Sequence, residues 1–90
     1  MSVQAEYSDR MMFVMACWDA FVAKRGPSAQ ACSPAEWGIM ANWYDAGWPL
    51  RIVLRGIKDC AGQMSARSTV GYVTPAVQEA VRQWYKGQVS

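Results

Sequence analysis

Histidine is absent from this 90-residue sequence, which removes the commonest general base and the commonest zinc ligand. The three cysteines, Cys17, Cys32 and Cys60, form no C-x-x-C pair and are too scattered for a structural zinc site. A cysteine nucleophile would have no imidazole partner, so buried thiols are the better interpretation. The sequence also contains no paired-carboxylate cluster, glycine-rich phosphate loop or G-x-S-x-G elbow. We therefore predict that the protein is not an enzyme and holds no metal or cofactor.

Long apolar runs are also missing. No run approaches the ~20 residues that a helix needs to cross a bilayer. The first residues are acidic and polar and do not resemble the basic start of a signal peptide. An odd number of cysteines fits free thiols in a reducing compartment. We expect a cytoplasmic protein that makes no use of a membrane.

The composition that remains is that of a globular chain. Apolar residues make up 52% of it, too many for a disordered segment. Its length predicts one domain, residues 1–90. The net charge of +2 is uneven, because residues 1–50 hold three cations and five carboxylates while residues 51–90 hold six and two. The basic half would meet phosphate or an acidic protein surface, unless it is only a solvated face.

Residues 33–61 organise the chain as two helices joined by a tight turn. Ser33, Pro34 and Glu36 have the spacing of a capping box with a proline start, which predicts a helix over 34–46. Gly47 then ends this helix, because glycine adopts positive φ without strain.

The second of these helices is predicted over 49–61, starting at Pro49. Its buried face falls at helical spacing on Leu50, Val53, Leu54, Ile57 and Ala61. Arg51, Arg55 and Lys58 recur at i, i+4 and i+7 on another face. Like charges at these spacings repel slightly, so the basic face is mildly unfavourable as local design.

A long first helix is predicted over residues 2–25. Its heptad seam consists of Tyr7, Met11, Val14, Trp18 and Phe21. Further apolar residues surround the middle of the helix, which indicates either a central place in a bundle or burial in a partner. We favour the bundle. Gly26 and Pro27 end the helix.

Residues 62–73 read as a loop with a short extended piece at 69–73. Thr74 and Pro75 then repeat the cap-plus-proline start, which predicts a last helix over 75–86 and leaves no proline inside a helix. The predicted fold is all-α, a single compact bundle of four helices whose central pair resembles a helix-turn-helix. Its predicted core consists of Trp18, Phe21, Trp37, Trp43, Val53, Leu54, Ile57 and Trp84.

The central pair also suggests a function. Two helices around a glycine turn, the second with outward cations, are how a helix-turn-helix is built. Trp43 and Asn42 depart from that pattern, since these positions normally hold a small and an apolar residue. The candidate nucleic-acid contacts are Arg51, Arg55 and Lys58, with Arg67, Arg82 and Lys86 as further phosphate contacts. DNA is favoured over RNA as the partner, and a helical hairpin with a solvated basic face is the competing interpretation.

The aromatic residues give a second hypothesis. Trp48, in the turn, and Tyr44 would stack on bases or anchor a protein interface. The protein would then be a small protein-interaction module, either a phage inhibitor of a host machine, such as an anti-defence protein, or a helical subunit of a larger protein or nucleoprotein assembly. Homodimerisation through the first helix is a further alternative.

Several motifs resemble known groups. The pattern S-P-x-E-W, G-x-P-L and V-L-R-x-I is carried here by Ser33–Trp37, Gly47–Leu50 and Val53–Ile57. It resembles small, largely uncharacterised helical proteins of bacteria and phages, and this resemblance implies no firm function. More distantly, the order of Trp43, Gly47, Ile57, Tyr72 and Trp84 is similar to DnaD-type replication-initiation domains, which implies DNA binding in phage or plasmid replication. The leading expectation is a non-enzymatic nucleic-acid-associated module in replication or regulation.

Overall fold

Four helices make up the computed structural model, which describes residues 2–26, 31–60, 62, 64, 65 and 67–89, without the side chains of 2–8 and 89. They are α1 (Ser2–Arg25), α2 (Pro34–Asp45), α3 (Leu50–Lys58) and α4 (Val70–Val89). Within these residues there is no strand. α3 packs against α4 and α1, and α2 packs against α1 and α4. The prediction of an all-α bundle of four helices is confirmed. Pro27, Ala61 and the side chain of Tyr7 lie outside the described part.

The signals that start and end α2 act as predicted. Ser33 Oγ accepts a hydrogen bond from the Glu36 amide at 3.1 Å, and Glu36 Oε1 accepts one from the Ser33 amide at 3.2 Å. Pro34 occupies the first turn. Gly47 has φ = +80° and closes the turn after α2. The capping box and the glycine turn are therefore confirmed, and α2 and α3 are slightly shorter than the predicted ranges.

The start of α4 differs from the prediction. The helix begins at Val70, so the extended piece at 69–73 is wrong and Pro75 lies inside a helix. Val70, Val73, Val77 and Val81 are buried at i, i+3, i+7 and i+11, a continuous helical stripe whose burial outweighs the local signals of Gly71 and Pro75. Proline has no N–H group, so the carbonyl of Gly71, four residues before Pro75, receives no helical hydrogen bond from that position. Gly71 is exposed, so water can satisfy that carbonyl.

The core lies between the four helices, and each of them contributes buried residues to it. Phe21, Trp43, Val53 and Ile57 are buried as predicted. Trp18, Trp37, Leu54 and Trp84 are only half-buried, which corrects the predicted core. The positions that fill it instead are Phe13, Val14, Cys17, Met40, Ala41, Ile52, Cys60 and the four buried valines of α4. The partly exposed tryptophans pack around the edge of this smaller aliphatic core.

Gly56 allows α3 and α4 to cross closely. A Cβ atom at this position would lie 2.6 Å from the Val77 Cα atom and 3.0 Å from the Ala76 carbonyl oxygen. Both are backbone atoms, so the helices would have to separate to accommodate a side chain. The absence of a side chain therefore sets the α3–α4 distance.

Candidate functional site: the basic face of α3

α3 separates its apolar and charged residues cleanly. Ile52, Val53, Gly56 and Ile57 are buried against α1 and α4. Arg51, Arg55 and Lys58 are exposed. At ~1.5 Å of rise per residue, the three cations extend over about 10 Å of one helix. We call these three residues the basic face of α3, and the structure exposes them together as the spacing predicts.

These cations are not neutralised within the described part of the chain. None of the three side chains forms a hydrogen bond or ion pair with another described residue. A further cation, Lys24, extends the face, because its Nζ donates to the Lys58 carbonyl at 3.1 Å. An ammonium is favourable there, since the last carbonyls of a helix carry partial negative charge. The sequence did not assign Lys24 to this site, because the contact joins residues far apart in the chain.

Carboxylates border the basic face on the side of α4. A groove of about 410 Å³ separates the exposed surfaces of α3 and α4. Arg55 of α3 and Asp59, the residue that follows α3, line one side of it, and Glu79 and Gln83 of α4 line the other. A polyanion would therefore approach α3 from the side away from α4, where Arg51 and Lys58 are not faced by these acids.

The other predicted phosphate contacts lie on separate elements. Arg67 is exposed in the segment before α4. Arg82 Nη2 binds both carboxylate oxygens of Glu79, at 2.8 and 2.7 Å. Hydrogen bonds from Gln83 and Arg82 lower the pKa of the Glu79 carboxyl group below its ordinary value. Arg82 is thus already paired, and Lys86 is exposed near the end of α4.

Arg25, the cation at the end of α1, is buried. Its guanidinium lies over the rings of Trp18 and Phe21, with centroid distances of 5.3 and 5.0 Å. Its Nη1 donates to the Ser68 carbonyl at 3.4 Å. These contacts fasten the end of α1 to the segment before α4, so Arg25 contributes to the fold and not to the basic face.

The two predicted aromatic anchors are packed against the protein. Trp48 stacks on Trp43 with 6.5 Å between ring centroids and 19° between ring planes. Tyr44 meets the ring of Phe13 edge-on, with centroids 5.4 Å apart. Both anchors are half-buried, so each presents part of its ring at the surface.

The packing around α2 and α3 does not support the helix-turn-helix interpretation. In that motif the two helices pack on each other through a small residue. Here α2 and α3 make most of their contacts with α1 and α4, and Trp43 occupies the position where the small residue is expected. Exposed cations on α3 therefore remain the site's main feature, without the geometry of a groove-reading helix.

Other chemistry finds little support among the described residues. No group of three metal-ligating side chains gathers there, and none of the helices is long and apolar enough to cross a membrane. Burial raises the pKa of the Cys17 thiol to about 12, which disfavours the nucleophilic thiolate.

Comparison with protein-family models, curated proteins and solved structures gives no match to this chain.

Proposed function

We propose that the protein is a non-enzymatic nucleic-acid-binding module that contacts phosphates through the basic face of α3. The observation that carries this proposal is the exposure of Arg51, Arg55 and Lys58 without a partner in the described residues. The buried side of α3 fixes the helix on α1 and α4, so the cations are held on one surface before binding. Cations arranged in this way gain affinity by releasing condensed counterions from the phosphates.

Contacts to phosphate orient a protein on nucleic acid but do not read its sequence. Because the α2–α3 packing differs from a helix-turn-helix, we propose binding with little sequence preference. The resemblance to DnaD-type domains favours DNA over RNA, and it favours a role in phage or plasmid replication or regulation.

The test is fluorescence anisotropy of labelled single- and double-stranded DNA and RNA at two salt concentrations. Three phosphate contacts on duplex DNA give a salt slope of about −2.7, which predicts roughly 40-fold weaker binding when salt rises from about 50 to 200 mM. The triple substitution Arg51→Ala, Arg55→Ala, Lys58→Ala should abolish binding and leave the melting temperature nearly unchanged, because all three side chains are exposed.

A second triple substitution, Arg67→Ala, Arg82→Ala, Lys86→Ala, is the matched control. It also removes three positive charges, so either variant changes the net charge from +2 to −1. We expect the control to retain most of the affinity, since Arg82 is held by Glu79. Equal losses in the two variants would indicate attraction to net charge alone. Flat titrations of every nucleic acid would refute the proposal.

A protein within a nucleic-acid machine is the second candidate partner, and the turn between α2 and α3 favours it. Trp48 and Tyr44 present partly exposed rings that already pack against the rings of Trp43 and Phe13. Such aromatic anchors lose little conformational freedom on binding and often dominate an interface. If this turn is the interface, Trp48→Ala should weaken binding to the partner by about 2 kcal/mol or more, measured by calorimetry on the purified complex.

A further inference from the structure

The outward side of α1 is apolar and uncovered. Met12 is 66% exposed and Met15 is 56% exposed. They are one helical turn apart, so they belong to one surface. That surface lies on the opposite side of α1 from its buried residues Cys17 and Phe21. Single apolar side chains are ordinary on a protein surface, whereas neighbouring exposed ones form a patch of the kind that marks sites of interaction.

An apolar cleft continues this surface towards α2. It has a volume of about 130 Å³, and it is lined by Val14, Met15, Trp18, Asp19, Cys32 and Trp37. Cys32 lies just before α2 and Trp37 lies in its first turn, so the cleft runs between α1 and the start of α2. An apolar side chain could enter this cleft while its neighbours rest on Met12 and Met15.

The charge on this side of α1 is acidic. Asp9 and Asp19 are exposed, and neither forms an ion pair or hydrogen bond with another described residue. The cations of α1 already have partners. Arg10 binds Asp45 at 2.9 Å and its guanidinium lies over the Trp37 ring, 5.1 Å from the centroid. Lys24 donates to the end of α3, and Arg25 is buried. We call Met12, Met15, Asp9, Asp19 and the adjoining cleft the acidic methionine face.

We propose that the acidic methionine face binds a basic amphipathic helix of another protein. Methionine side chains are flexible and polarizable, so they adapt to apolar residues of varied shape. An amphipathic helix places its apolar residues at i, i+3, i+4 and i+7 into a surface of this kind. Its flanking cations would pair with Asp9 and Asp19. A second copy of this chain is a poorer occupant, because it would bring the same uncompensated carboxylates to the contact.

The probe is a fluorescent peptide of about 18 residues, with leucines at helical spacing and lysines elsewhere. The comparison peptide carries glutamate in place of each lysine. Anisotropy should show micromolar binding of the lysine peptide and binding at least about tenfold weaker for the glutamate peptide. Equal binding of the two peptides, or no binding of the lysine peptide, would overturn the proposal.

Two pairs of variants locate the binding site. Met12→Gln with Met15→Gln should weaken binding of the lysine peptide about tenfold or more. Tyr85→Gln, at a side chain 58% exposed on α4, should leave that binding unchanged. Asp19→Asn should weaken it severalfold, whereas Asp59→Asn, at the end of α3, should leave it unchanged. All of these side chains are exposed, and circular dichroism checks that each variant folds.

Affinity that is equal in all four variants would place the peptide elsewhere and refute the assignment. Sedimentation of the peptide-free protein tests the other occupant. A dimer that dissociates in the methionine double variant would show that a second copy covers this face, and it would overturn the proposal. Nucleic-acid binding is not required for any of these results, so the two proposals can fail separately.

Discussion

Replacing Glu36 should show that its side chain links α2 to α4, whereas the sequence predicts only its part in the capping box of α2. Its carboxylate accepts hydrogen bonds from the amide and the hydroxyl of Ser33, both at 3.2 Å. Its other oxygen accepts one from the Val70 amide at 3.0 Å. Val70 is the first residue of α4, where amides have no acceptor within the helix. One buried carboxylate therefore satisfies the starts of both α2 and α4.

The magnitude follows from what Glu36→Ala leaves unpaired. The Val70 amide is buried and has no access to water, so the loss of its hydrogen bond to Glu36 costs about 2 kcal/mol of stability. The Ser33 amide is half-buried, and the loss of its cap costs about 1 kcal/mol. The sum of about 3 kcal/mol lowers the melting temperature by roughly 12–24 °C for a domain of this size. Ser33→Ala removes only the helix cap, about 1 kcal/mol or roughly 4–8 °C.

Urea and thermal unfolding followed by circular dichroism measure this difference. Amide exchange gives a local test, because first-turn amides usually exchange fast and the Val70 amide should be protected in the native protein. Glu36→Ala should remove that protection, whereas Ser33→Ala should keep it. If Glu36→Ala destabilises no more than Ser33→Ala, the carboxylate serves only the cap of α2 and the link to α4 contributes nothing.

Two further predictions concern packing and thiol reactivity. Gly56→Ala should destabilise by about 2 kcal/mol because the new Cβ meets the Val77 backbone. Gly38→Ala, in α2 with nothing within 4 Å of the new Cβ, should stabilise the protein by about 0.5–1 kcal/mol. Urea unfolding in which the two substitutions change the free energy of unfolding in the same direction would contradict this. Cys17, with a pKa of about 12, should resist an aromatic disulfide reagent at pH 8 until the protein unfolds. Half-buried Cys32 should react first, and equal rates by peptide mapping would disprove the burial argument.

Local signals predicted the parts of the fold that depend on a few neighbouring residues. The capping box at Ser33 and the turn at Gly47 need only their own sequence to form. The first turn of α4 was missed because Gly71 and Pro75 are strong local breakers, while the decisive term is burial. The helical spacing of Val70, Val73, Val77 and Val81 was present in the sequence and could have revealed the helix.

In the candidate site, too, features set by neighbouring residues could be predicted and features set by helix packing could not. Exposure of Arg51, Arg55 and Lys58 followed from helical periodicity, which also separated them from the buried side of α3. The i, i+3 spacing of Glu79 and Arg82 could have indicated their pairing. The contact of Lys24 with α3 could not be predicted, because it depends on how α1 and α3 pack.

The distribution of charge on α1 and α3 connects the two proposals. Buried Cys17 and Phe21 mark the inner side of α1, which packs against the other helices, α3 included. The acidic methionine face lies on the opposite side of α1. The two faces would therefore not compete for the same surface. A basic helix on α1 would neutralise Asp9 and Asp19 and so reduce the repulsion that these carboxylates exert on a polyanion. Electrostatics alone then favours simultaneous binding, in which a nucleic acid on α3 and a basic protein segment on α1 reinforce each other.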